Sequence, residues 1–240
     1  MKIAVCVSGQ QRKTNIQFET LNARMKAAFK NFTADYFYHT WDNCLLKKYE
    51  NMVIEPEPII DYSPIKDTTV YAGEYFDSKR KKYKKTQKLD YGTKQILAHN
   101  SLVAKLNKKY DVIVRVRWDL YFSDALNYAC FLEKAKDEGP VGLGWGVMDT
   151  KLLDFPVKHN MTKNNPRWWK MISPDSLIMH TPEIWNVDMV NSLHEKKELL
   201  PAEWGWYQIL CSNGKNNHTT YKGGCINMAP AIGKNWPQFL

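Results

Sequence analysis

An α/β fold, with a mostly parallel sheet covered by helices on both faces, is the architecture this sequence predicts. Short apolar runs rich in β-branched residues begin at Lys2 and again at Asp111. Stretches of helical periodicity separate such runs, and the two kinds of segment alternate along the chain without an internal repeat. At 240 residues the chain is expected to form one domain over 1–240, with no hinge-like linker. Hydrophobic residues at 44% and charged residues at 25% exclude a disordered tail and a collagen-like rod.

The elements follow in order. Lys2 to Val7 reads as a buried strand that stops at the polar loop Ser8-Gly9-Gln10-Gln11-Arg12. Phe18, Leu21, Met25, Phe29 and Phe32 recur at spacings of three and four, the stripe of an amphipathic helix lying on a sheet. Tyr36 to His39 and Met52 to Ile54 are predicted short strands, the second closed by Pro56 and Pro58, which cannot donate to a ladder. Residues 61–90 show no period and are expected to be a basic, flexible insertion. Ile96, Leu102, Val103 and Leu106 mark one side of a helix between Gly92 and Lys109, and Asp111 to Val114 restarts a buried strand. Further strands are expected at Pro140 to Val147 and Ser176 to Met179, helices near Glu183 to Lys196 and Ala202 to Cys211, and a last hairpin after Asn217.

Composition narrows the function classes. No run approaches the roughly 18 to 20 apolar residues of a membrane span, and Ile3 to Val7 is too short for a signal-peptide core. Five scattered cysteines, Cys6, Cys44, Cys130, Cys211 and Cys225, do not suit a disulfide framework, so a cytoplasmic location is expected. The net charge of +9 is local. Lys79, Arg80, Lys81, Lys82, Lys84, Lys85 and Lys88 put seven cations and no anion into ten positions, leaving +2 for the rest of the chain. The chain contains no G-x-x-x-x-G-K-[ST], H-E-x-x-H or C-x-x-C, which removes the main support for a P-loop ATPase, a zincin or a zinc ribbon.

In a sheet of this kind ligands bind past the carboxyl ends of the strands, and two such places carry chemistry. At Ser8-Gly9-Gln10-Gln11-Arg12, Gly9 would let backbone N–H groups approach an anion and Arg12 could clamp a phosphate; a tight turn with a surface arginine is the equal alternative. At Arg115-Val-Arg117-Trp-Asp119, a period of two puts both arginines and the aspartate on one strand face. Two guanidinia beside a carboxylate suit a diphosphate together with a metal or a sugar hydroxyl, and an internal salt-bridge ladder is the other reading. Among the nine tryptophans, Trp168, Trp169, Trp204 and Trp206 could stack on a sugar or base, although core packing explains most tryptophans.

These residues resemble small nucleotide-sugar glycosyltransferases of GT-A-like, Rossmann-like fold, found in capsule and lipopolysaccharide gene sets and in phages. Ser8-Gly9-Gln10 with Arg12 is similar to that group's S-G-Q-x-R opening. Asp35-Tyr-Phe-Tyr-His39-Thr-Trp41 resembles its D-x-x-x-H-T-W strand end, and the segment from Tyr110 to Phe122 resembles its Y-D-x-V-I-R-x-R-x-D-L-x-F run. The resemblance implies transfer of a sugar from a nucleoside diphosphate donor, a UDP-sugar in the first instance, to a hydroxyl. Donor-binding residues would be Ser8, Gly9, Gln10, Arg12, His39, Trp41, Arg115, Arg117 and Asp119, with 1–122 mainly on the donor side and 137–240 mainly on the acceptor side. Asp119 stands where such enzymes place a metal-binding D-x-D for Mn²⁺ or Mg²⁺. Residue 121 is Tyr, so Asp119 would hold the metal with help from elsewhere, or Arg115 and Arg117 would partly replace it.

Departure of the nucleoside diphosphate builds negative charge that those cations or a metal would stabilise. A carboxylate must also accept the acceptor's proton, and Asp175 is nominated, with Glu203 and Asp149 in reserve. The seven-cation run suits an anionic acceptor. Hydroxymethylated cytosine in phage DNA is the first expectation and a lipid-linked capsule or lipopolysaccharide glycan at a membrane surface the second. A non-catalytic nucleic-acid-binding module is the alternative from another class.

Overall fold

The computed structural model describes residues 1–11, 18–60, 74–77, 82–85, 90–106, 109–122, 127–143, 177–199, 202–210, 219–221 and 226–228. The elements in chain order are β1 (Lys2–Val7), α1 (Phe18–Ala28), β2 (Thr33–Trp41), β3 (Met52–Glu55), β4 (Glu74–Asp77), β5 (Lys82–Lys85), α2 (Asp90–Val103), β6 (Val112–Val116), β7 (Leu120–Phe122), α3 (Tyr128–Asp137), β8 (Val141–Leu143), β9 (Leu177–His180), α4 (Val187–Glu195), α5 (Ala202–Leu210), β10 (Thr219–Tyr221) and β11 (Ile226–Met228). Among the described residues no helix is long and apolar enough to cross a membrane.

The main sheet has seven strands in the order β10-β8-β9-β6-β1-β2-β3. The pairs β1–β2, β1–β6, β2–β3 and β8–β10 are parallel, and β9 alone runs against its neighbours β6 and β8. The predicted α/β, mostly parallel architecture is what forms.

Strand parity divides the core into two layers. Ile3, Val5 and Val7 of β1 with Val112, Val114 and Val116 of β6 pack against Met25 and Phe29 at α1 and Leu132 and Ala135 of α3. The residues between them, Ala4, Cys6 and Ile113, meet Ile96 and Leu102 of α2, Val190 of α4 and Trp206 and Ile209 of α5. A strand buried on both faces needs a continuous apolar run rather than alternation, which is why Lys2 to Val7 is readable from sequence. Arg115 has the parity of Ile113, so it enters the second layer.

From β1 the chain moves outward through β2 and β3, and α2 then returns it to β6 on the other flank of β1. The strand order reverses between β1 and β6, and a crevice opens outside their carboxyl ends at such a reversal.

Within residues 61–90, β4 and β5 pair antiparallel in a register that sets Glu74 opposite Lys85 and Asp77 opposite Lys82. Other expectations are corrected. The segment expected as one strand from Arg115 to Tyr121 breaks, because the chain turns after Val116 and Leu120 N–H bonds back to the Arg117 carbonyl. The two described strands after Asn217 pair elsewhere, β10 with β8 and β11 with β7, rather than with each other. Helix α3 fills a stretch that carried no prediction, with Asn127 Oδ1 accepting from Cys130 N–H as its N-cap.

Candidate functional site

The crevice is a cleft lined by Ser8, Gly9, Gln10, Trp41, Glu57, Lys94, Gln95, Arg115, Arg117, Trp118 and Asp119. Its walls come from the loops after β1, β2, β3 and β6 and from the first half of α2. Seven of the nine donor-side residues read from sequence therefore line one cavity.

The loop after β1 is shaped by Gly9, whose φ of 110° is a conformation that a Cβ disfavours. Ser8 N–H bonds the Val116 carbonyl at 2.9 Å, which ties the ends of β1 and β6 together. The buried Ser8 Oγ has no hydrogen-bond partner among the described residues. A buried hydroxyl without a partner at the wall of a cleft is a donor ready for a ligand.

Gln11, also buried, has another task. Its Nε2 donates to the Lys47 carbonyl at 2.7 Å, while its Oε1 accepts from Leu46 N–H and Lys47 N–H at 2.6 and 2.8 Å. One amide side chain thus pins the loop after β2 against the loop after β1.

Arg115 is fully buried. Its Nη2 donates to Gln95 Oε1 at 2.6 Å, and its Cζ lies 5.0 Å from the centre of the Trp206 ring. The guanidinium is held by a neutral amide and an aromatic face, both arrangements it favours. Arg117 pairs with Asp119 through Nε to Oδ1 and Nη2 to Oδ2, both 2.9 Å. Of the three charges, Arg117 and Asp119 thus pair with each other, within the turn and at the cleft wall.

His39 is brought near but not into the cleft. It is fully buried behind Trp41, its ring edge-on at 4.5 Å, with Nε2 3.3 Å from Glu55 Oε2. Burial lowers its pKa, opposed by the Glu55 charge. Its carbonyl accepts Trp118 Nε1–H at 2.8 Å, so His39 supports the wall. Trp206, one candidate for stacking on a ligand, is instead core beneath Arg115.

Arg12, Asp149, Asp175, Lys79, Arg80, Lys81, Lys88, Trp168 and Trp169 lie outside the described residues, and Glu203, Lys82, Lys84 and Lys85 are described only by their backbone in α5 and β5.

Glu57, Lys94 and Gln95 were not singled out by the sequence. Lys94 Nζ lies 3.1 Å from Glu57 Oε1, and Asn43 Nδ2 donates to Glu57 Oε2 at 2.6 Å. The Asn43 bond is the main cause that holds the Glu57 carboxyl below its usual range; burial opposes it, and the Lys94 bond and charge add to it. The signal for Glu57 was present in Glu55-Pro56-Glu57-Pro58. The second proline keeps Glu57 extended, at the end of a strand whose neighbours supply the cleft.

Asp119 was the metal candidate. Both its oxygens are engaged by Arg117, and among the described residues no group of three His, Cys, Asp or Glu side chains could hold a metal ion. The described residues do not make a metal centre, and the chemistry below is derived from the cations.

The sequence matches no protein-family model and no curated protein. Among solved structures the chain is similar to the galactosyltransferase LgtC in complex with donor and acceptor sugar analogues, at 11% identity and a TM-score of 0.41, over 92% of this chain and 73% of that one. It is also similar to mouse xyloside xylosyltransferase 1 in its apo form, at 8% identity and a TM-score of 0.42, over 92% of this chain and 85% of that one.

Proposed function

We propose that this protein is a glycosyltransferase that moves a sugar from a nucleoside diphosphate donor, a UDP-sugar in the first instance, to a hydroxyl acceptor. The observation that carries the reading is the convergence of Ser8, Gly9, Arg115, Arg117, Asp119 and Lys94 on one cleft, at the point of the sheet where strand order reverses.

Three cations around a small cleft suit a diphosphate. As the bond from the sugar to the diphosphate oxygen breaks, negative charge grows on that oxygen, and Arg115 and Arg117 stabilise it more in the transition state than in the bound donor. Their side chains are fixed before the ligand arrives, Arg115 by Gln95 and Trp206 and Arg117 by Asp119, so little reorganisation accompanies the step. A carboxylate accepts the acceptor's hydroxyl proton; Asp175, Glu203 and Asp149 are the nominees, on the acceptor side of the chain.

The seven-cation run from Lys79 to Lys88 supports an anionic acceptor, for which 5-hydroxymethylcytosine in DNA is taken forward. The test is incubation with UDP-, GDP- and CDP-sugars in Mn²⁺ or EDTA, followed by mass analysis of hydroxymethylated DNA and of oligosaccharides. A hexose-sized mass gain on either acceptor supports the reading and separates DNA from glycan. Neither transfer nor donor hydrolysis with any donor overturns it.

A further inference from the structure

The cleft is not a plain anion trap, because two carboxylates, Glu57 and Asp119, line it beside the three cations. Asp119 is matched by Arg117 from its own turn. Glu57 is built in from elsewhere, held by Lys94 of α2 and by Asn43 of the turn after β2, with its side chain only 19% exposed. An ionised carboxylate has about four lone-pair sites. Lys94 and Asn43 take one on each oxygen, which leaves acceptor capacity at the cleft wall.

A carboxylate repels a diphosphate and has no proton to give it. The ligand group that Glu57 fits is therefore a hydrogen-bond donor, adjacent to the phosphates but not part of them. A nucleoside supplies such donors as ribose hydroxyls and base N–H groups. We infer that Glu57, oriented by Lys94 and Asn43, is a specificity residue that reads the nucleoside half of a nucleoside diphosphate, while Arg115 and Arg117 hold the diphosphate. This inference rests on the donor-site reading of the same cleft. Lys94 tunes both halves, since its charge steadies Glu57 and lies within the same cavity as the phosphate-binding cations.

The assignment separates two ligands that a purely cationic site would treat alike. Calorimetric titrations of the full chain compare inorganic pyrophosphate, the tightest of UDP, GDP and CDP, and the 2′-deoxy form of that nucleotide, in wild type, Glu57→Gln and Glu57→Asp. In Glu57→Gln the nucleotide is expected to bind about tenfold more weakly, the size of one lost charge-assisted hydrogen bond. Pyrophosphate should bind equally or up to about fivefold more tightly, because a repelling charge is gone. Glu57→Asp keeps the charge and shortens the reach, so it should weaken the nucleotide while leaving pyrophosphate unchanged. It carries the same comparison if the Gln variant does not fold. The deoxy arm assigns the group read: a hydroxyl if deoxygenation weakens wild-type binding and no longer distinguishes Glu57→Gln, a base N–H if the Glu57→Gln loss persists. Nucleotide and pyrophosphate shifting together, or a nucleotide affinity unchanged in both variants, overturns the role of Glu57 and leaves the donor site standing. A wild-type protein that binds neither pyrophosphate nor any of the three nucleotides overturns both.

Discussion

Arg117 grips Asp119, two residues on, through a pair of parallel 2.9 Å bonds that close inside a single turn of chain. The fork-to-carboxylate geometry is the strongest form of a side-chain ion pair, and it sits where β6 gives way to the cleft. The pair fixes the guanidinium before any ligand binds. Asp119→Ala is expected to reduce sugar transfer by about 100-fold or more, comparable to losing a preorganised charge stabiliser. The fold should persist, at a cost of about 1–3 kcal/mol for the lost partner. Donor turnover and thermal melting, read on the same preparation, check this, and full turnover by the folded variant removes Asp119 from the site.

Arg115 depends on shape as well as charge. A lysine in its place keeps the charge but lacks the planar guanidinium that bonds Gln95 while resting against the Trp206 ring. Arg115→Lys is therefore expected to weaken pyrophosphate binding by about tenfold, one charge-assisted bond's worth. Trp206→Leu should lower kcat and kcat/KM several-fold, because loss of the cation–π face loosens a guanidinium whose main contribution comes in the transition state. A Trp206→Leu enzyme with wild-type kcat and kcat/KM would show that Arg115 holds its position without the ring.

The lysine run makes a quantitative prediction for a DNA acceptor. If all seven of its cations meet phosphates, the slope of log binding constant against log salt should be about −6. Neutralising Lys79 and Arg80 should flatten that slope by about 2. No measurable duplex binding at low salt removes DNA as the acceptor.

Much of this arrangement was legible because the central strands are buried on both faces. The runs at β1 and β6 are unbroken, and a charge that interrupts them, as Arg115 does, stands out as a site. Strand β2 runs from Thr33, three residues earlier than expected. Its polar start hides the signal, since Asp35 there is held by Tyr110 Oη–H at 2.8 Å and by Lys2 rather than by apolar packing. Helix α3 was readable and missed, for Tyr128, Leu132 and Ala135 recur at helical spacing. Lys94 and Glu57 could not be found by motif. They lie 37 residues apart and meet only because α2 crosses back over the sheet after β3, which is a property of topology and not of local sequence.

The other buried pair, His99 and His180, predicts how the fold responds to acid. Their Nε2 atoms are 3.1 Å apart, and His180 Nδ1 lies 2.9 Å from the Thr181 carbonyl. A carbonyl only accepts, so Nδ1 carries the proton, His180 Nε2 is the acceptor, and His99 Nε2–H is the donor. Adding a proton to His180 would set two N–H groups face to face in a layer that also holds Arg115. Burial pushes the His180 pKa down to about 4 from 6.5, and burial, His180 and Arg115 together push His99 well below 6.5. Both depressed groups stay neutral when folded, while their unfolded counterparts bind protons once the pH drops below about 6.5. The unfolded state then holds more protons, so stability is full above about pH 6.5 and falls as the pH is lowered toward 4. His180 alone accounts for a loss of about 3 kcal/mol across that window. Urea unfolding at pH 7, 6 and 5 should therefore give progressively lower midpoints. The double variant His99→Gln with His180→Gln should flatten the pH dependence, and an unchanged slope in that variant would assign the acid sensitivity to other groups.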